Sequence, residues 1–160
     1  MTGDMTMKNY LLILCLLFCL TTFAAVKPIN SQKIVLRPGW NLVTLERPVV
    51  AADAERFLAF RPMTLDSARK CYVLCPDKDS LEIGTGYWVF SQTEQTLELK
   101  RDQSKTTWDT AALADGWTLI GVADNSTWMN QATDIWQWQD GRFQIVSKDE
   151  LTTGKAYFAK

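Results

Sequence analysis

Histidine is absent from the 160-residue chain. That removes the commonest general base, the Ser/His and Cys/His nucleophile pairs and the commonest metal ligand, so enzymatic readings shrink to carboxylate chemistry. Cysteine is scarce. Of the four in the chain, Cys15 and Cys19 lie in the N-terminal apolar run, leaving Cys71 and Cys75. Two soft ligands without a histidine make half a zinc site at best, so no metal and no cofactor are expected. A strong charge of one sign is also missing, with 17 Lys and Arg against 18 Asp and Glu. The bases are scattered among acids rather than clustered to track phosphates, which argues against nucleic acid.

Long apolar runs are limited to one, Leu11–Leu20, shorter than the roughly 20 residues that a membrane-crossing helix needs. Lys8 and Tyr10 precede it, and Thr21, Thr22, Phe23, Ala24 and Ala25 follow. A basic start, a hydrophobic stretch and small residues are the order of a secretory signal. Cleavage is expected after Ala24, with Ala25 as the alternative. An uncleaved anchor is the weaker reading. A lipoprotein cut at Cys15 or Cys19 is weaker still, because Leu14 and Phe18 are bulky where such sites want a small residue. Removing Asp4 and Lys8 leaves 16 bases and 17 acids, a net charge of −1. The expected place is outside the cytoplasm: periplasmic, outer surface or secreted, with the membrane involved only if the segment is kept.

What is present is self-similarity. Gly39, Trp40, Asn41, Leu42, Val43 returns as Gly116, Trp117, Thr118, Leu119, Ile120 at an offset of 77. Lys78, Asp79, Ser80, Leu81 with Gly84, Tyr87 and Trp88 returns as Lys148, Asp149, Glu150, Leu151 with Gly154, Tyr157 and Phe158 at an offset of 70. Two ordered blocks imply a duplication, with seven extra residues in the first copy, expected between Val43 and Thr64. The chain then divides into a signal at 1–24, a first repeat at 26–100, a connector at 101–106 and a second repeat at 107–160.

Each repeat reads as mainly β. Trp40–Leu45 is apolar on both faces and is expected to be buried on both. Ala51–Phe60 has helical spacing at Ala54, Phe57 and Leu58, and Pro62 ends it. Ser126–Ala132 allows only a turn or two. Ile135–Val146 is a hairpin with Asp140 and Gly141 as a two-residue type I′ turn. That register pairs Trp138 with Phe143 and Trp136 with Ile145 on an apolar face that must be buried somewhere. Tyr87–Ser91 and Tyr157–Lys160 close the copies, and Thr96–Lys100 alternates as a surface strand. One copy is too small for a sound core, so both are expected to pack as one compact domain with a short helix in the first.

The acid pairs Asp77, Asp79 and Asp149, Glu150 lie in turn-like segments beside lysines and read as solvated turns rather than catalytic dyads, which need a set separation across a cleft. Cys71 and Cys75, if extended, are about 13 Å apart, beyond the roughly 7 Å limit for a bridge. They are either free thiols or, with a bend between them, a disulfide. The repeat alignment sets Cys75 opposite Ile145 as a core position. Seven tryptophans stand out. Trp40, Trp88, Trp117, Trp136 and Trp138 read more readily as core than as a sugar-stacking platform. Trp108 and Trp128 are less constrained and are the better surface candidates. Asn125, Ser126 and Thr127 match a glycosylation sequon.

Gly39 to Val43, the hairpin at Trp136, Trp138, Asp140 and Gly141, and the segment Gly84, Gly86, Tyr87, Trp88, Val89 together resemble tandem modules of bacterial exported and cell-surface proteins. The likeness covers most of 36–90 and 113–159. It implies a scaffold of turn glycines and strand aromatics and no catalytic residue. The expected function is a non-catalytic exported module that binds a protein or surface component of the cell envelope. The alternative is carbohydrate binding through Trp108, Trp128, Trp136 and Trp138, and the third reading is a carboxylate-based hydrolase.

Overall fold

The computed structural model describes residues 30–160, so the signal segment lies outside the described residues. The described chain is mainly β, with one α-helix and strands arranged in three sheets. Strands β1 (Ser31–Leu36) and β6 (Gln95–Lys100) form an antiparallel ribbon. Their alternation turns Ile34, Leu36, Leu97 and Leu99 inward while Lys33 and Val35 face water. Strand β1 had no counterpart in the sequence reading, although its apolar residues at every second position carry the signal.

The first four-stranded sheet contains β2 (Gly39–Thr44), β3 (Met63–Asp66), β4 (Cys71–Leu74) and β5 (Gly86–Ser91) in the order β2-β5-β3-β4. The second contains β7 (Thr118–Gly121), β8 (Ile135–Gln139), β9 (Arg142–Ile145) and β10 (Ala156–Ala159) in the order β7-β10-β8-β9. Strand for strand, the two orders are the same.

Helix α1 (Ala51–Leu58) closes the first core by inserting Phe57 against Tyr87, with ring centroids 5.7 Å apart. Asp53, buried on its inner side, accepts the Lys100 backbone N–H at 2.7 Å and the Arg56 guanidinium at 2.7 Å, tying the helix to β6. The second core gathers Ile120, Val122, Ile135 and Tyr157 around Trp128. Full burial of each such side chain is worth about 1.5–3 kcal/mol.

The two sheets share local devices as well as strand order. The Tyr87 hydroxyl accepts the Glu82 N–H at 2.6 Å and donates to the Glu82 carbonyl at 3.0 Å. The Tyr157 hydroxyl likewise accepts the Thr152 N–H at 3.0 Å. A capped 3-10 turn precedes each, at Lys78–Ser80 and Lys148–Glu150.

The predicted hairpin forms in the predicted register, with Asp140 at φ 52° and Gly141 at φ 76° making the two-residue turn. Three expectations are corrected. The extra residues of the first half are not one insertion. Pairing of Trp88 with Met63 and of Phe158 with Trp136 puts β3 and β8 at an offset of 73. Cys75 N–H donates to Pro62 O and Val146 N–H to Ile135 O, an offset of 71 at the hairpin ends. Four residues thus enter before β3, two in the Ser67–Lys70 turn and one after β4, because surface turns absorb length without disturbing the sheet.

Cys75 accordingly matches Val146, not Ile145. A one-residue slip changes the face of a strand, and Ile145 is 72% exposed. Nor is β2 buried on both faces. Val43 and Leu45 enter the core, while Trp40 on the opposite face is 50% exposed.

Candidate functional site

The outer faces of the two sheets carry the site. Cross-strand pairing sets Trp40 beside Phe90, Leu42 beside Trp88 and Met63 beside Leu74 on the first sheet. On the second it sets Trp138 beside Phe143, Trp136 beside Ile145 and Phe158 beside Leu119. Alternation puts these residues on the side away from each core, so both sheets are apolar twice.

The two outer faces meet through aromatic rings. Trp88 and Trp138 have centroids 5.3 Å apart, and the Trp138 indole N–H donates to the Trp40 carbonyl at 3.3 Å. Phe143 packs on Trp138 at 5.0 Å and on Phe158 at 5.2 Å. The hairpin face therefore does not disappear into a core as expected. It is half-buried against the first sheet and half open.

What stays open is a trough of three joined grooves. The middle one, of about 350 Å³, lies between Trp40, Met63, Tyr72, Trp88, Trp138 and Phe143. It shares Tyr72 and Phe143 with a groove of about 420 Å³ that continues to Trp117, Trp136 and Phe158. It shares Trp40 and Met63 with a third, of about 770 Å³, that Leu74, Phe90 and Arg61 also line. No charged side chain lines the first two. The rings meet at 65° to 90° and make no flat coplanar platform.

The expected surface residues are distributed unevenly. Trp136 and Trp138 lie in the site. Trp128 does not: it is 1% exposed, packs on Tyr157 and donates its indole N–H to the Gly121 carbonyl at 2.9 Å. A ring at the start of a short 3-10 turn, Trp128–Asn130, fills the space that helix α1 fills in the first half, which its polar neighbours in sequence concealed. Trp108 is half-buried beneath the Arg47 guanidinium, 5.9 Å from its ring, and its indole nitrogen is buried without a partner. Trp40, Trp117, Tyr72 and Phe90 are the exposed aromatics that sequence reasoning missed. For Trp40 and Trp117 the strand apolar on both faces made double burial the expectation, whereas Tyr72 and Phe90 were not singled out.

The acid pairs hold turns. Asp77 accepts the Ser80 N–H at 2.9 Å, and Glu150 accepts the Ser147 N–H at 2.8 Å. Hydrogen bonding from Ser147 keeps the carboxyls of Asp149 and Glu150 below their ordinary range, the opposite of what a general acid requires. Cys71 and Cys75 are unpaired, the first exposed at the start of β4 and the second buried in the residue after its end. A separate cleft of about 860 Å³ runs between Pro48, Leu81 and Trp108, with Lys78, Asp79, Asp102 and Lys105 mixing charges of both signs. Among the described residues, no cluster of acids and cysteines has the makings of a metal site.

Compared with protein-family models, curated proteins and solved structures, the chain has no significant match.

Proposed function

We propose that the chain is a non-catalytic, exported binding module, a duplicated β unit packed as one domain, that holds a protein partner of the cell envelope through the aromatic trough. The observation that carries this reading is the continuous apolar and aromatic outer face, uncharged along two of its three grooves, with Trp40, Tyr72, Leu74, Phe90, Phe143 and Ile145 exposed on it. Water gains from covering such a face, and Trp and Tyr are the residues on which protein interfaces concentrate their binding energy.

The duplication is supported by the shared strand order, by the matching tyrosine hydroxyl bonds and by the two sequence offsets. Export is supported by the basic, apolar and small-residue order of residues 7–25. The resemblance to tandem modules of bacterial exported proteins fits the same place, in the periplasm, on the outer surface or secreted. A sugar ligand is the less favoured occupant, because stacking on pyranose faces wants exposed rings in line with polar groups beside them, and these rings stand edge to face.

The test is capture of envelope proteins on the immobilised exported chain, with Trp40→Ser and Phe143→Ser as variants and Asp79→Asn as a control. Capture should fall at least tenfold in both aromatic variants and persist in the control. Capture indifferent to Trp40 and Phe143 would overturn the reading, as would a glycan-array signal that both variants abolish.

A further inference from the structure

The trough is uncharged along two grooves and acquires a charge in the third. There Trp40, Met63, Leu74 and Phe90 share the lining with Gln92, Gln95 and one charged residue, Arg61. Among the described residues Arg61 and Arg142 have no carboxylate within ion-pair distance, whereas Arg37, Arg47, Arg56, Arg69 and Arg101 are paired, and of the two only Arg61 lines the trough.

Its backbone is also unusual. Arg61 closes the C-terminal turn of α1 with its N–H on the Leu58 carbonyl at 2.8 Å, at φ 52°, the left-handed conformation that glycine adopts most readily at this place. An arginine here is a poor choice for the helix end.

The second sheet sharpens the point. Pro62 and Ile135 occupy matching positions, each accepting the N–H of the hairpin's last residue. The residue before Ile135 is Asp134, opposite in charge to Arg61 and paired with Lys160 at 3.3 Å. At this position the first sheet therefore carries a cation and the second an anion, and the cation stands at the largest of the three grooves.

We infer that this groove binds the carboxylate of an apolar peptide segment, with the Arg61 guanidinium donating its forked N–H groups to the carboxylate and an adjacent apolar side chain lying between Trp40 and Phe90. The inference rests on the protein-binding reading above and names the chemistry of the partner. The planar fork of a guanidinium matches two carboxylate oxygens at once, and the flanking rings keep water from one side of the pair and so strengthen it. The carboxylate is either a chain terminus or an Asp or Glu side chain, and the experiment separates them.

Two hexapeptide libraries randomised at every position, one with a free C-terminal carboxylate and one amidated, are selected on the immobilised full chain. Apolar peptides carrying a carboxylate should be enriched, from the free-acid library alone if the terminus is read and from both if a side chain is read. Arg61→Gln should weaken the selected peptides at least tenfold and Arg61→Lys less. Removing the peptide carboxylate should cost the same tenfold in the native chain and nothing further in Arg61→Gln. Arg61→Gly should lose binding in the same way while its Tm stays level or rises, which separates the loss from misfolding. No enriched peptide, enrichment without acids, or additive effects of Arg61→Gln and carboxylate removal would each overturn the inference. Peptides lost with Trp40→Ser but untouched by Arg61→Gln would sink the carboxylate while leaving the protein-binding reading standing. Envelope capture indifferent to both aromatic variants would sink that reading itself.

Discussion

Thr44 lies directly against Gly121 across the seam between the two sheets, so close that a Cβ on Gly121 would overlap the Thr44 Cβ and Oγ1. These two residues are 77 apart, the offset at which β2 repeats as β7. The seam thus brings matching positions of the two halves together, one as threonine and the other as glycine. The bridges Val43 to Lys155 and Ile120 to Thr85 repeat the relationship on either side.

Gly121→Ala should therefore destabilise by about 1–3 kcal/mol, the usual cost of overpacking a closed site. The Thr44→Gly, Gly121→Ala double variant should be less destabilised than the two single effects added, even though it forgoes the Thr44 hydroxyl bond to the Thr85 carbonyl at 2.7 Å. Urea unfolding of the four proteins measures this. Additivity would mean that the seam is not closed at this point.

Tyr87→Phe leaves the Glu82 N–H and carbonyl without the hydroxyl between them and should cost about 1–3 kcal/mol. Tyr157→Phe, which removes one such bond to Thr152, should cost about 1 kcal/mol. Burial raises the pKa of both hydroxyls above the ordinary value, and burial pushes the Cys75 thiol up to about 11. A folded pKa above the unfolded one means stability that is complete below the unfolded pKa and lost as pH rises. Stability should hold to about pH 9, decline toward pH 11 as the unfolded Cys75 thiol ionises, and keep declining above pH 10 through the tyrosines. Denaturation midpoints across this range should fall less steeply in Tyr87→Phe and in Cys75→Ala.

Asp53 carries the opposite sign. The Lys100 backbone N–H, and after it the Arg56 guanidinium, hold its carboxyl below the ordinary range against the effect of burial. Its contribution is present above the unfolded pKa of about 3.9 and is lost as pH falls below it. Asp53→Asn should lower stability near neutrality by about 1–2 kcal/mol and flatten the acid limb of the stability curve. An unchanged acid limb would place the ionisation that matters elsewhere.

Cys71 and Cys75 make a chemical test of β4. One thiol should react with Ellman's reagent at the rate of an exposed cysteine, and the second only on unfolding. Extended backbone from Cys71 through β4 to the residue after it sets their Cα atoms about 13 Å apart, so oxidation should yield a dimer through Cys71 and no internal bridge.

The sequence made some of this legible because local chemistry was sufficient. Asp140 and Gly141 both accept positive φ, so the hairpin turn, its register and its apolar face followed from composition alone. Helix α1 was legible from Phe57 and Leu58 and from Pro62 beyond them. The Ser67–Lys70 turn was not, since a four-residue turn has no comparable signature, and the single residue added after β4 was equally silent and slid Cys75 onto Ile145. The site itself was half visible. Trp136 and Trp138 were placed in it, but a strand with two apolar faces does not tell which face meets a core and which meets solvent. Only the position of α1, β1 and β6 on one side of the first sheet leaves Trp40 and Phe90 on the other.

That division gives the last prediction its contrast. Trp128 fills a core and Phe143 lines the trough, although both are large aromatics in the second half of the chain. Trp128→Ala should cost about 3–5 kcal/mol through the cavity it leaves and the loss of the indole bond to the Gly121 carbonyl, which keeps only the longer Ser126 hydroxyl contact at 3.4 Å. Phe143→Ser removes a half-exposed ring and should cost about 1 kcal/mol, near the centre of the range for point substitutions. A fluorescent apolar dye should respond in the reverse order. It should bind the folded native chain through the open trough, bind Phe143→Ser and Trp40→Ser markedly less, and bind folded Trp128→Ala undiminished. Weak binding to the native chain would mean that the rings close on one another in solution, and the face would then have no room for a partner.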